Sequence, residues 1–234
     1  MGTETLRLVS YNIHGAIGAD GLYRPDRLAS FLEGLGAGLF ALQEVVHRGA
    51  QGRDLLDFLA ERLGMHAIPG PTMFGPRGLY GNALLVPSRD VEVRRHDLSV
   101  PGREPRGAVA ARVPHDAGAV WILSTHLGLR HAERRAQVLR LATWVDTLPD
   151  ETTVLLGDFN DWRPRRIGTL QPLRARFRDE YAPATYPARR PLLALDRAFL
   201  RGPYRRWRGT VVRRNGAARV SDHLPLVVDV EPAG

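Results

Sequence analysis

Short apolar runs recur along these 234 residues, and at or beside their ends stand polar side chains able to do chemistry: Asn12, Gln43-Glu44, Asn82, Thr125-His126, Asp158-x-Asn160, Asp196 and Asp222-His223. Runs of this kind bounded by turn formers read as buried strands. They are predicted at 6–12, 38–45, 80–86, 91–98, 107–113, 120–125, 153–156, 195–200, 210–213 and 224–230. Helical spacing opens at Pro25-Asp26, with Leu28, Phe31, Leu32 and Leu35 on one face. It returns at 54–63 and at 131–148, where Val138, Leu141, Ala142, Val145 and Leu148 face inward and Pro149 ends the pattern. Helices between some strands and tight turns between others predict an α/β fold of two mixed β-sheets packed face to face and flanked by helices. No linker interrupts the pattern, so residues 1–234 read as a single domain.

The absence of cysteine excludes disulfides and thiolate metal sites. Any metal must then sit on oxygen or nitrogen ligands, which favours a hard ion such as Mg2+ or Mn2+. The start is not basic, and nowhere do roughly 18 apolar residues follow one another. The chain therefore reads as a cytoplasmic protein without a stable membrane anchor, and as a monomer. A net charge of +8 points toward a polyanion. Yet all 33 basic residues are arginine, and Ala, Gly and Pro are abundant, as GC-rich coding produces. Arginines cluster at 163, 165 and 166, at 174, 176 and 178, at 189 and 190, and at 205, 206 and 208. With Trp162, Tyr204 and Trp207 nearby they suit phosphates and stacked bases, and they suit solvated loops equally.

In a strand ending Asp-x-Asn, alternation places Asp158 and Asn160 on one face, within reach of one bound group. Asp222 and His223 add a second anion and an imidazole that titrates near neutrality. Carboxylate, amide and imidazole together indicate metal-assisted hydrolysis.

The ordered strings Y-N-I-H-G, L-Q-E, G-N-A-L-L, S-T-H-L-G, L-L-G-D-F-N, L-D-R-A-F and S-D-H-L-P run from Tyr11 to Pro225, within a resemblance that spans residues 6–230. In that order the chain closely resembles the endonuclease/exonuclease/phosphatase superfamily, in a bacterial metal-dependent hydrolase branch. The superfamily includes the pancreatic-type deoxyribonucleases, apurinic/apyrimidinic endonucleases, sphingomyelinases and inositol polyphosphate phosphatases. The resemblance implies a four-layered α/β sandwich and divalent-metal-dependent phosphoester hydrolysis. It further implies that Glu44 is the principal metal ligand, aided by Asn12, with Asp222 as a further metal-side carboxylate. Asp158 would orient or deprotonate the attacking water, and Asn160 would donate to the developing charge. His223 would contact the scissile phosphate, oriented by Asp196, and His126 would approach the phosphate or leaving group. Asn82 matches a position near the phosphate. His14 stands where the apurinic endonucleases carry an acidic residue, and Arg197 stands where many members carry an aromatic one. The remaining histidines, His47, His66, His96, His115 and His131, read as surface or packing residues.

Arg103 and Arg106, in P-G-R-E-P-R-G-A, precede a strand on the same side as the catalytic strand ends and have the forked donors that grip phosphate, and they suit a hairpin loop of solvated charge equally. The resemblance implies a phosphoester substrate: a small molecule or lipid headgroup for a phosphodiesterase, or DNA or RNA for a nuclease. The short chain favours the first, and the charge and the loop at 201–208 favour the second. A binding protein that kept the fold and lost catalysis is the reading from a different class.

Overall fold

A computed structural model describes residues 5–47, 54–75, 78–214 and 216–233. In chain order the elements are β1 (Leu6–Asn12), α1 (Pro25–Glu33), β2 (Leu39–His47), α2 (Leu55–Leu63), β3 (His66–Gly75), β4 (Gly78–Val86), β5 (Glu92–Asp97), β6 (Gly107–Val113) and β7 (Val120–His126). There follow α3 (His131–Val145), β8 (Thr152–Asp158), α4 (Gln171–Arg174), β9 (Asp179–Tyr181), β10 (Asp196–Arg201), β11 (Tyr204–Val211), α5 (Ala217–Val220) and β12 (Leu226–Pro232).

The strands form two six-stranded sheets, ordered β11-β12-β1-β2-β4-β3 and β5-β6-β7-β8-β10-β9. Each is antiparallel except for one pair, β1 with β2 and β7 with β8. Both parallel pairs are joined through a helix, α1 or α3, because parallel neighbours need a crossover. Alternation along the strands then sorts the side chains into layers. Leu8, Leu39, Leu84, Val109, Ile122, Val154 and Val228 fill the space between the sheets. The outer face of the first sheet packs under α1 and α2 through Tyr11, Leu28, Leu32, Leu42 and Leu59. That of the second packs under α3 through Trp121, Leu123, Val138, Leu141 and Leu155. The result is the expected four-layered sandwich of helix, sheet, sheet and helix.

Three local expectations change. β3 is not among the predicted strands, because H-A-I-P-G-P-T-M-F-G carries two prolines and two internal or terminal glycines. It lies at a sheet edge, where a missing N–H breaks no inner ladder. The span 201–208 is not a loop: most of it belongs to β11, paired antiparallel with β12. Tyr204 is buried and hydrogen-bonds Asp179, and Trp207 packs edge-on against Tyr181 at 6.3 Å. Finally, α3 stops at Val145, and Leu148 reaches the core from the turn beyond. Among the described residues no helix is long and apolar enough to cross a membrane.

Gly157, the penultimate residue of β8, has φ +153°, and a Cβ there would overlap the Thr125 carbonyl of β7. Gly157→Ala is expected to cost about 1–3 kcal/mol, read as a lowered urea midpoint with unchanged m-value. A midpoint within error of wild type would overturn the close approach.

Candidate active site

The parallel pairs place their strand ends at one rim. β1, β7 and β8 end in Asn12, His126 and Asp158, with His126 and Asp158 in register. β10 runs antiparallel to β8, so its first residue, Asp196, lies opposite Asp158. The segment before β12 brings Asp222 and His223, and the Ser221 hydroxyl anchors it by donating to the Asn12 carbonyl at 2.7 Å. Glu44 arrives by another route. It does not end its strand, since β2 continues to His47. It sits at a bulge where the β2–β4 register shifts between Leu42 and Val45, with φ +58°. One extra residue at a bulge re-aims a side chain.

Asp158 occupies the centre and is 2 % exposed. Its Oδ1 accepts from the Asn160 amide at 2.9 Å, and its Oδ2 accepts from Asn12 Nδ2 at 3.2 Å. His126 Nε2 and His223 Nε2 lie 3.5 and 3.7 Å from Oδ2. Burial, then the Asp196 charge, push the Asp158 carboxyl well above the ordinary carboxylate range, against His223 and the two hydrogen bonds. Asn160 does join Asp158, although not by strand alternation. β8 has ended, and Asn160 adopts φ +51° in a turn closed by the Asp158 side chain. That turn directs Asn160 Nδ2 to the Leu127 carbonyl at 2.9 Å and to His126 Nε2 at 3.1 Å.

The two histidines differ in charge. Burial, then Arg106 and His223, hold His126 well below its usual pKa, so it is neutral. Burial opposes the charge on His223 too, but Asp196, through its charge and a 2.8 Å contact with Nδ1, together with Asp158 and Asp222, raises that pKa to about 10. Asp196 is itself held by the Thr185 hydroxyl, and Tyr186 packs on the His223 ring at 4.9 Å.

A second, more exposed group stands beside the first. Asn12 Nδ2 also donates to Glu44 Oε1 at 2.9 Å, while its Oδ1 accepts from the His14 amide. His14 Nδ1 lies 3.5 Å from Asp222 Oδ1 and 3.7 Å from Glu44 Oε2. The Tyr80 hydroxyl hydrogen-bonds Glu44, and burial, then Glu44, raise its pKa. Asn82 is buried and donates to the Gly107 carbonyl at 2.9 Å, leaving its Oδ1 without a partner. Arg106 is buried beside Glu104, and its charge reaches His126 and Tyr80. Arg103 is exposed in the preceding turn, and among the described residues no side-chain contact ties it to this group.

His14, Tyr80, Thr185 and Tyr186 join the site without having been singled out by the sequence as part of it. Tyr80 has a signal there, since it lies two residues from Asn82 on one strand and so on the same face. His14 lies two residues from Asn12 and its amide donates to Asn12 Oδ1, whereas Thr185 and Tyr186 meet the site only through contacts distant in sequence.

Two places bring potential metal ligands together. Donor atoms of Asp158, Asp196 and His223 lie within 4.8 Å of one another. There, Asp196 Oδ2 is engaged by His223 Nδ1 at 2.8 Å and by the Thr185 hydroxyl. Glu44 and Asp222 have no arginine partner among the described residues and converge on one imidazole nitrogen. That oxygen-rich set with a single nitrogen suits a hard or borderline divalent ion.

The model of the Endonuclease/Exonuclease/phosphatase family matches residues 9–223. Uncharacterized protein YbhP of Escherichia coli (strain K12) is 34% identical over 192 residues, covering 74% of this chain and 72% of that protein. The endonuclease/exonuclease/phosphatase from Beutenbergia cavernae DSM 12333 superposes with TM-score 0.77 at 20% identity, over 98% of this chain and 72% of that one. TDP2 of D. rerio, complexed with single strand DNA product, superposes with TM-score 0.71 at 18% identity, over 97% and 99% of the two chains. At these identities the structural likenesses concern the fold.

Because the folded state raises the pKa of His223, its protonation stabilises the fold fully below the unfolded value near 6.5 and is lost as pH rises toward about 10. Nitrogen-edited NMR at neutral pH is expected to show His223 as imidazolium and His126 as neutral. Asp196→Asn should lower the His223 midpoint. A wild-type His223 titrating near 6.5 would overturn the pairing.

Proposed function

This chain belongs to the endonuclease/exonuclease/phosphatase family, and from that premise we propose that it is a divalent-metal-dependent phosphodiesterase that cleaves a P–O bond by in-line attack of water. The family's members are hydrolases of phosphoesters and generally use divalent metals. One observation carries the reading: the buried Asp158 carboxylate stands between two imidazoles, 3.5 Å from His126 Nε2 and 3.7 Å from His223 Nε2, in surroundings that push its pKa up, that of His126 down and that of His223 up. Titratable groups driven apart in pKa by their surroundings are the mark of acid–base chemistry.

Asp158 orients the water and takes its proton, which its raised pKa favours near neutrality. The His223 imidazolium faces the charge that develops on phosphorus, and Asn160 Nδ2, bonded to the Leu127 carbonyl at 2.9 Å and to His126 Nε2 at 3.1 Å, holds the neutral His126 ring beside it. Asp196 fixes the His223 ring by holding Nδ1, so that Nε2 points to the reacting group. Arg106 has a buried guanidinium for the phosphoryl group or its ester oxygens, while Asn82, whose Nδ2 donates to the Gly107 carbonyl at 2.9 Å, keeps a free acceptor for a hydroxyl or other donor of the substrate. Glu44, Asp222 and His14 would hold Mg2+ or Mn2+. Asn12, assigned to the metal by resemblance, bridges Glu44 and Asp158 and so sets the spacing between metal side and base. A bound divalent ion supplies Lewis-acid charge to phosphoryl and leaving oxygens.

A second reading, an endonuclease on DNA or RNA, is supported by the charge of +8 and by the likeness to a fold neighbour crystallised with single strand DNA product. Loss of catalysis with retention of the fold is disfavoured by the intact set around Asp158.

The test is hydrolysis of bis-p-nitrophenyl phosphate with Mg2+, with Mn2+ and with chelator. Asp158→Ala and His223→Ala are each expected to reduce turnover by about two orders of magnitude or more. Near-wild-type rates in both variants, or full activity in chelator, would overturn the assignment. By calorimetry, His14→Ala should weaken Mn2+ binding; unchanged affinity would remove His14 from the metal set.

A further inference from the structure

The side of β10 opposite Asp196 carries a second charged site. A cavity of about 360 Å3 is lined there by Arg163, Arg165, Arg174, Arg178 and Arg197, with Phe177 and Phe199 as its apolar wall. Two carboxylates line it as well, and both are occupied. Glu180 takes a bidentate pair from Arg174, at 2.8 and 2.9 Å, and a third bond from Arg197 Nη1 at 2.8 Å. Asp179 takes Arg178 Nε at 3.2 Å and the Tyr204 hydroxyl. Arg163 and Arg165 have no ion-pair partner among the described residues. Arg197 is 5 % exposed, and its Nε is sealed from water with no hydrogen-bond partner. The cavity therefore holds an excess of forked donors and no unused anion, which is the chemistry of a phosphate or similar oxyanion site.

The cavity is tied to the reacting groups through Asp161, which follows Asn160. Its carbonyl accepts from Arg197 Nη2, and its side chain accepts from the Arg163 amide at 3.3 Å and the Thr169 hydroxyl at 2.8 Å. Next to it, Trp162 is 58 % exposed. The segment that positions Asn160 thus carries an exposed indole and the two unpaired arginines. We propose that this cavity is a phosphate subsite that holds a second phosphate group of an extended substrate while the first lies at Asp158 and Asn160. Its role in turnover rests on the phosphodiesterase reading, but its affinity for phosphate does not. Such a group comes from the backbone of a nucleic-acid strand or from a polyphosphorylated small molecule.

Binding is measured in chelator, with no turnover, on wild type and on the Arg163→Gln/Arg165→Gln double variant. The probes are a single-stranded oligonucleotide with phosphorothioate linkages and inorganic pyrophosphate. The double variant is expected to bind the oligonucleotide at least tenfold more weakly, with the slope of log K against log salt flattened by about 0.7 for each phosphate it no longer neutralises. That result supports the subsite with a nucleic-acid strand as its source. A tenfold weakening confined to pyrophosphate supports the subsite with a small polyphosphate as its source. Equal affinities of wild type and double variant for both probes, with matching thermal midpoints, would overturn it. Failure of the wild type to hydrolyse bis-p-nitrophenyl phosphate overturns the phosphodiesterase reading and leaves this binding test intact.

Discussion

A carboxylate enclosed between two sheets must be met by donors on every side, and Asp158 draws them from both. Asn12 donates from the first sheet and the Asn160 amide from the turn after the second sheet's β8, while the His126 and His223 rings close it in at 3.5 and 3.7 Å. Leaving such a buried group unpaired costs several kcal/mol on the general scale for charged groups. The two sheets therefore have little freedom to slide at this end. Gln43 adds a buried tie alongside, donating from β2 to the Ser124 hydroxyl of β7 at 3.1 Å. The same enclosure raises the Asp158 pKa, so what orders the rim also makes the carboxyl a useful base.

Backbone strain gathers around that rim. Four non-glycine residues of the described chain have positive φ: His14, Ala16, Glu44 and Asn160. Three of them present side chains to the site. Each such conformation costs of order 1–3 kcal/mol and persists only where the surroundings over-determine it. Here the surroundings are three apolar layers, in which most strand side chains are sealed from water. Rigid strands offset the strain and hold the polar groups at fixed spacing.

Much of this is legible in the chain itself. Asn12, Asp158, Asp196 and His223 stand at the boundaries of apolar runs, so strand periodicity locates them. β3 is hidden because its prolines read as turn formers, and only an edge position makes them tolerable. β11 is signalled only at its last residues, since arginines mask an alternation in which Trp207, Gly209 and Val211 face inward. Asp158 and Asn160 meet through a turn rather than the pleat, by way of the Asn160 backbone amide. Arg103 and Arg106, three residues apart, diverge because one remains in an exposed turn while the other enters the sandwich.

Local patterning, a 2-residue or 3.6-residue period with polar residues at its breaks, is enough to specify the layered architecture and most of the residues gathered at the rim, because each depends on near neighbours in the chain. How those residues divide the work is not a local property. The cationic His223 and neutral His126, the elevated Asp158, and His14 between Glu44 and Asp222 all arise from charges and burial contributed by segments tens to hundreds of residues apart. Electrostatic interaction depends on distance in space and on exclusion of water, and both exist only once the two sheets have closed on each other.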